Sequence, residues 1–263
     1  MSHNTGIVHL VGAGPGAPDL VTLRAARLLA QADIVFYDAL VHPETLALAE
    51  KAQKIPVGKR CGKHSTQQRF INKRLIDAAR KHAVVVRLKG GDPMLFGRAQ
   101  EEIDALHAAG IKCEVVPGIT AALAASADLK ISLTRRGVSR NVTFVTPRVG
   151  EGEHASDWIS SACNADSAVM YMAAGQAADI ARKLIGNKLP ADMPVLIVEN
   201  ASLPNMAMTA TTLGALQSMN ERTTHGGPAL LMIGRVFQRV ADAQIAVIDR
   251  DVVREVLAAS LCA

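Results

Sequence analysis

Aromatic residues are scarce, 3% of a 263-residue chain. That leaves few platforms on which the bases of a single-stranded nucleic acid could stack. The four cysteines, Cys61, Cys113, Cys163 and Cys262, are scattered. They form no C-x-x-C pair and no Cys/His ligand set, so no metal site is expected. Isolated thiols of this kind fit a reducing, cytoplasmic setting. No apolar run is long enough to cross a bilayer. The N-terminal residues lack the basic-then-apolar pattern of a secretory leader. Low-complexity segments and tandem repeats are also missing. The expectation is a soluble cytoplasmic protein with neither a membrane nor a nucleic acid as its partner.

What is present is a normal core and an uneven charge. Hydrophobic residues make up 49% and charged residues 20%, enough for one large or two small domains. Net charge is +5, yet residues 1–137 hold 19 Lys+Arg against 12 Asp+Glu, and the remainder 10 against 12. A basic first half fits an anionic partner such as a polycarboxylate.

The first half alternates two patterns. Apolar, β-rich runs stand at 7–11, 33–37, 53–57, 83–88 and 113–116. Helical periodicity fills 20–31, 43–51, 67–81, 98–109 and 119–127. Continuous apolar strands between helices predict a parallel sheet covered on both faces. The polar stretch "TRRGVSRN" (134–141) interrupts this order, and a domain boundary is expected there. Strand-like runs resume at 142–146, 167–172, 193–199 and 228–234, with helices over 155–162, 175–186 and 212–220 and in the C-terminal tail. The fold class is α/β, as two α/β domains in series, 1–136 and 137–263.

The stretch "IVHLVGAGPGAPDL" (7–20) imitates a dinucleotide site. Gly12, Gly14 and Ala17 fit the G-x-G-x-x-G/A spacing, and Asp33 or Asp38 stands at the distance of the ribose-binding acid. Pro15 and Pro18 argue against it, because each removes a backbone N–H that a pyrophosphate would need. The helical pattern also begins only near Leu20. "RLKGGDPMLFGR" (87–98) and "VVPGITAALAAS" (115–126) repeat the arrangement of strand, Gly/Pro loop and helix. All these loops fall at strand C-termini, where open α/β sheets bind ligands. Gly90 and Gly91 allow a close backbone approach.

These residues resemble the tetrapyrrole methylase family. The resemblance rests on "VGAGPGAPDLVTLRAARLLAQADIVFYDALV", "VGKRCGKHSTQQRFIN", "VVVRLKGGDPMLFGRAQEE", "VVPGITAALAAS", "VMYM", "VENAS" and "GPALLMIGRV", from about residue 7 to 240. The "YDALV" and "VGKRCGKHSTQQ" segments are similar to its uroporphyrinogen branch. The resemblance implies two α/β domains with the active-site cleft between them, and a homodimer. It implies methylation of uroporphyrinogen III at C2 and C7, giving precorrin-2 for siroheme or cobalamin. S-adenosylmethionine is the implied methyl donor and S-adenosylhomocysteine the product.

By motif, the resemblance implies that the cofactor lies against Pro15, Gly90, Gly91, Asp92, Leu95, Thr120 and Ala121. In the second half it implies Met172, Ala201, Pro228 and Ala229. Asp38 is the implied proton acceptor and Lys59 the implied donor. Arg60, Lys63 and Arg136 adjoin cleft motifs and suit the carboxylates of a tetrapyrrole. This chain departs from the family pattern in three places. Ala99 and Gln100 replace two glycines, Arg135 replaces a histidine, and Pro147–Arg148 replace Gly-His. The open alternatives are a sister precorrin methylase, a nicotinamide-dependent oxidoreductase and a non-catalytic binding protein.

Overall fold

A computed structural model describes residues 5–58, 68–149, 156–173, 175–218 and 227–243. Two compact units divide the chain, Met1–Ala124 and Ala125–Ala263.

The first unit is built on strands β1 (Ile7–Gly12), β2 (Ile34–Tyr37), β3 (Gln53–Pro56), β4 (Val84–Lys89) and β5 (Cys113–Val116). They form one sheet in the order β3-β2-β4-β1-β5, with every pairing parallel. Helices α1 (Leu23–Gln31), α2 (Pro43–Ala47), α3 (Gln68–Ala79), α4 (Ala99–Ala108) and α5 (Ala121–Asp128) follow the strands in turn. Alternation along the strands sorts the core. Leu10, Phe36 and Val85 pack with Ile71 and Leu75 of α3 and Leu106 of α4. Val11, Val35, Val86 and Leu88 pack on the other face with Ala25 and Leu29 of α1. Neighbouring strands β1 and β4 therefore send their following helices to opposite faces. That is a topological switch point, the place where open α/β sheets form a ligand crevice.

The second unit carries strands β6 (Val142–Val145), β7 (Ser167–Met170), β8 (Pro194–Glu199), β9 (Ala207–Thr212) and β10 (Ala229–Gly234). Their order is β6-β7-β10-β8-β9. Strands β6 and β7 run parallel, whereas β10 is antiparallel to both β7 and β8. Helices α6 (Trp158–Cys163), α7 (Ala177–Gly186) and α8 (Leu213–Leu216) cover this sheet. Trp158, Ile180, Leu184, Leu213 and Leu216 share its main core.

Several elements differ from the sequence expectations. The helix expected from Leu20 begins at Leu23, after a 3-10 turn at Pro18–Leu20, because Thr22 caps it by accepting from the Ala25 N–H. The helix expected over 43–51 shrinks to α2, and that over 212–220 shrinks, among the described residues, to α8. Strand β9 was not expected: "AMTATT" is a half-buried edge strand whose threonines hide an apolar run. The expected C-terminal helix over 249–263 lies outside the described residues.

Candidate active site

The C-terminal edge of the first sheet gathers most of the residues singled out in the first half. Its loops are locked together through backbone. The Ala13 N–H donates to the Lys89 carbonyl at 2.7 Å. Gly14 and Gly91 exchange bonds, the Gly91 N–H reaching the Gly14 carbonyl at 2.7 Å. The Ala13 and Gly14 amides are thus turned onto the β4 loop, and Thr22 caps α1 by itself. Amides paired in this way are not free to cradle a pyrophosphate.

Glycine lets these loops touch. A Cβ on Gly12 would stand 2.5 Å from the Gly118 Cα, and one on Gly118 would collide with the Gly91 carbonyl oxygen. Three loops meet at this spot, those after β1, β4 and β5. We therefore expect Gly118→Ala to cost about 1–3 kcal/mol of stability through overpacking. Urea unfolding of the variant beside the wild type measures it. Gly91 faces the other way. Its φ is +68°, and a Cβ there would meet nothing within 4 Å. Backbone is exposed to open space at a position only glycine adopts easily. With its N–H and C=O paired to Gly14, Gly91 offers a flat surface that a cofactor can approach closely.

Two aspartates fix the edge. Asp92 accepts from the Met94 N–H at 2.7 Å and from the Gly118 N–H at 2.8 Å, joining the β4 and β5 loops. Asp38, at the end of β2, accepts from the Leu40 N–H at 3.0 Å and the Gly90 N–H at 3.1 Å. Its carboxylate is half-buried. Pro15 and Leu95 are half-buried on the same loops, and the Leu95 N–H turns back to the Asp92 carbonyl. Thr120 is buried just before α5, where its carbonyl accepts from Leu123, and Ala121 opens the helix.

Beneath this edge lies a charged cluster that the sequence reading missed. Glu102 of α4 is fully buried. Its Oε1 accepts from Arg87 Nε at 3.0 Å and from Gln68 Nε2 at 3.1 Å. Its Oε2 accepts from Lys89 Nζ at 2.9 Å. Burial is the main reason that the Lys89 ammonium is held below the usual lysine range, with Arg87 next. The signal was present in "VVVRLK": two cations at alternate positions of a buried strand require a buried partner on the same face. Burial also pushes the Cys113 thiol up to about 11, so it is no nucleophile at neutral pH.

In the second unit, Met172, Ala201 and Ala229 fall at one edge of the sheet. Met172 follows β7, Ala201 follows β8, and Ala229 begins antiparallel β10 opposite Glu199. The Asn200 N–H donates to the Pro228 carbonyl at 3.1 Å, joining two of these loops. Met172 and Asn200 are left-handed, at φ 54° and 52°, a strain that collects at functional loops. Pro147 and Arg148 follow β6 at the same edge. Arg136 is elsewhere. It is exposed in the turn closed by Arg135 and Ser139. Ser139 Oγ lies 2.8 Å from Ser167 Oγ, at the opposite edge of this sheet. Lys59, Arg60 and Lys63 lie outside the described residues. Among the described residues, no cluster of His, Cys, Asp and Glu could hold a metal ion, and no helix is long and apolar enough to cross a membrane.

Comparison with known proteins extends these observations over most of the chain. Residues 8–217 match the family model described as tetrapyrrole (corrin/porphyrin) methylases. The chain is 42% identical to the uroporphyrinogen-III C-methyltransferase of Paracoccus denitrificans, over 91% of this chain and 84% of that one. It is 46% identical to the siroheme synthase of Zymomonas mobilis over 88% of its length, but spans only 49% of that protein. Among solved structures it is similar to the uroporphyrin-III C-methyltransferase of Thermus thermophilus in complex with S-adenosyl homocysteine. There the TM-score is 0.78 and the identity 39%, covering 89% of this chain and 99% of the other.

Proposed function

The chain belongs to the tetrapyrrole methylases, and from that premise we propose that it transfers methyl groups from S-adenosylmethionine to C2 and C7 of uroporphyrinogen III. Precorrin-1 is the intermediate and precorrin-2 the product, destined for siroheme or cobalamin. Similarity to a uroporphyrinogen-III C-methyltransferase across nine-tenths of the chain supports the reaction class. The observation that carries the reading is local: a carboxylate, Asp38, is fixed at the same strand edge as the open-faced backbone of Gly91.

S-adenosylmethionine supplies an electrophilic methyl group on a sulfonium that leaves readily. The protein must hold the acceptor carbon in line with it. Gly90, Gly91 and Asp92, with Pro15, Leu95, Thr120 and Ala121, would hold the cofactor from the first unit. Met172, Ala201, Pro228 and Ala229 would hold it from the second. Asp92 serves as a brace, since both its oxygens already accept backbone N–H groups. Asp38 would accept the proton that leaves the tetrapyrrole, and Lys59 would donate one elsewhere. Arg60 and Lys63 would pair with substrate carboxylates. The reading assigns functional domains of residues 1–136 and 137–263, in a cytoplasmic homodimer.

Calorimetric titration separates this reading from an oxidoreductase. S-adenosylhomocysteine is expected to bind saturably, and NAD+ to give no heat beyond dilution. Binding of NAD+ without S-adenosylhomocysteine would overturn the assignment.

A further inference from the structure

The buried cluster below the β4 loop carries more charge than its own pairing requires. Arg87 and Lys89 point to the same face of β4, and Glu102 is the one carboxylate that both contact. All three are almost wholly buried, at 6%, 4% and 0% side-chain exposure. Arg87 is also satisfied by carbonyls, reaching Leu88 at 3.0 Å. Arg87 and Glu102 alone would make a neutral, hydrogen-bonded pair. Lys89 adds a surplus positive charge to a site where burial opposes it.

The cluster adjoins the candidate site through the backbone. Lys89 is the last residue of β4, and the next amide, that of Gly90, donates to Asp38 Oδ2. The groups acting on the ammonium come from three elements: Glu102 from α4, Arg87 from its own strand, and Asp38 from the end of β2. The stem of Lys89 is held as well, because a Cβ on Gly97 would lie 3.1 Å from its Cε. Lys89 thus ties the end of β4 to α4, one residue before the Gly90 amide from which Asp38 accepts.

We propose that Lys89 is a positioning residue for Asp38: its buried bond to Glu102 anchors the end of β4, whose next amide, that of Gly90, holds the carboxylate in place. The proposal rests on the reading of Asp38 as the proton acceptor. It differs from a structural role in one respect. Removing Lys89 leaves the balanced Arg87–Glu102 pair, so the fold should survive, whereas the action of Asp38 should suffer.

A double-mutant cycle tests it, using full-length protein and the transfer of labelled methyl groups to uroporphyrinogen III. Lys89→Met is expected to fold and to bind S-adenosylhomocysteine like the wild type. Its kcat should fall about tenfold, the order expected for a misplaced reacting group. In an Asp38→Asn background the same change should cost nothing further. Equal losses in both backgrounds, a wild-type rate in Lys89→Met, or a Lys89→Met protein that does not fold would each overturn the proposal. A wild-type rate in Asp38→Asn itself would instead overturn the reading of Asp38, and this arm distinguishes the two failures.

Discussion

Asp38→Asn is expected to lower kcat for methyl transfer by about 10²–10⁴-fold, the usual contribution of a positioned acid–base group. The change is close to isosteric. The carboxylate accepts from Leu40 at one oxygen and from Gly90 at the other. An asparagine keeps one acceptor oxygen and loses the second, so the turn after β2 should persist. What disappears is the ability to take up a proton. The KM for S-adenosylmethionine should stay near the wild-type value, since the cofactor residues belong to other loops. A drop in kcat with unchanged cofactor binding is the signature of an interaction made in the transition state. A parallel rise in KM with kcat preserved would make Asp38 a binding residue only.

Glu102→Gln is expected to cost about 3–5 kcal/mol of folding stability. Glu102 is fully buried, and its two oxygens serve Arg87, Lys89 and Gln68. Glutamine has the right shape but no charge, and its amide nitrogen presents donors to donors. Two buried cations would then share no carboxylate. The contrast with Lys89→Met is informative, because that change leaves a balanced pair in the same place. Urea denaturation of both variants against the wild type measures the difference. A loss below about 1 kcal/mol in Glu102→Gln, the range of a solvent-exposed ion pair, would mean that water reaches this cluster.

Much of the first sheet was legible because its central strands β1, β2 and β4 are buried on both faces. Such strands read as plain apolar runs, and every strand expected in the first half is present. The edge strand β9 was not legible, since half-buried threonines carry no comparable pattern. The switch-point loops were legible as Gly/Pro interruptions at strand ends. Their mutual contact was not: nothing in "VVPGIT" says that Gly118 meets Gly12 and Gly91, because that depends on strand order. Pro15 and Pro18 argued against a dinucleotide site, and the Ala13 and Gly14 amides are paired with the β4 loop. Grouping Arg136 with the cleft motifs came from sequence proximity. In the fold its turn packs at the sheet edge opposite Met172, Ala201 and Ala229. Glu102 escaped notice because a glutamate early in a helix is ordinarily read as a dipole-stabilising surface residue.

The most direct test of the central claim is the mass of the tetrapyrrole after reaction. Purified protein is incubated anaerobically with uroporphyrinogen III and S-adenosylmethionine, and the product is examined by mass spectrometry. A gain of two methyl groups, with matching release of S-adenosylhomocysteine, is the predicted result. An unchanged tetrapyrrole in the presence of bound S-adenosylmethionine would contradict the assignment. The acceptor would then have to be sought among other precorrins, beginning with the effects of Arg135, Pro147 and Arg148.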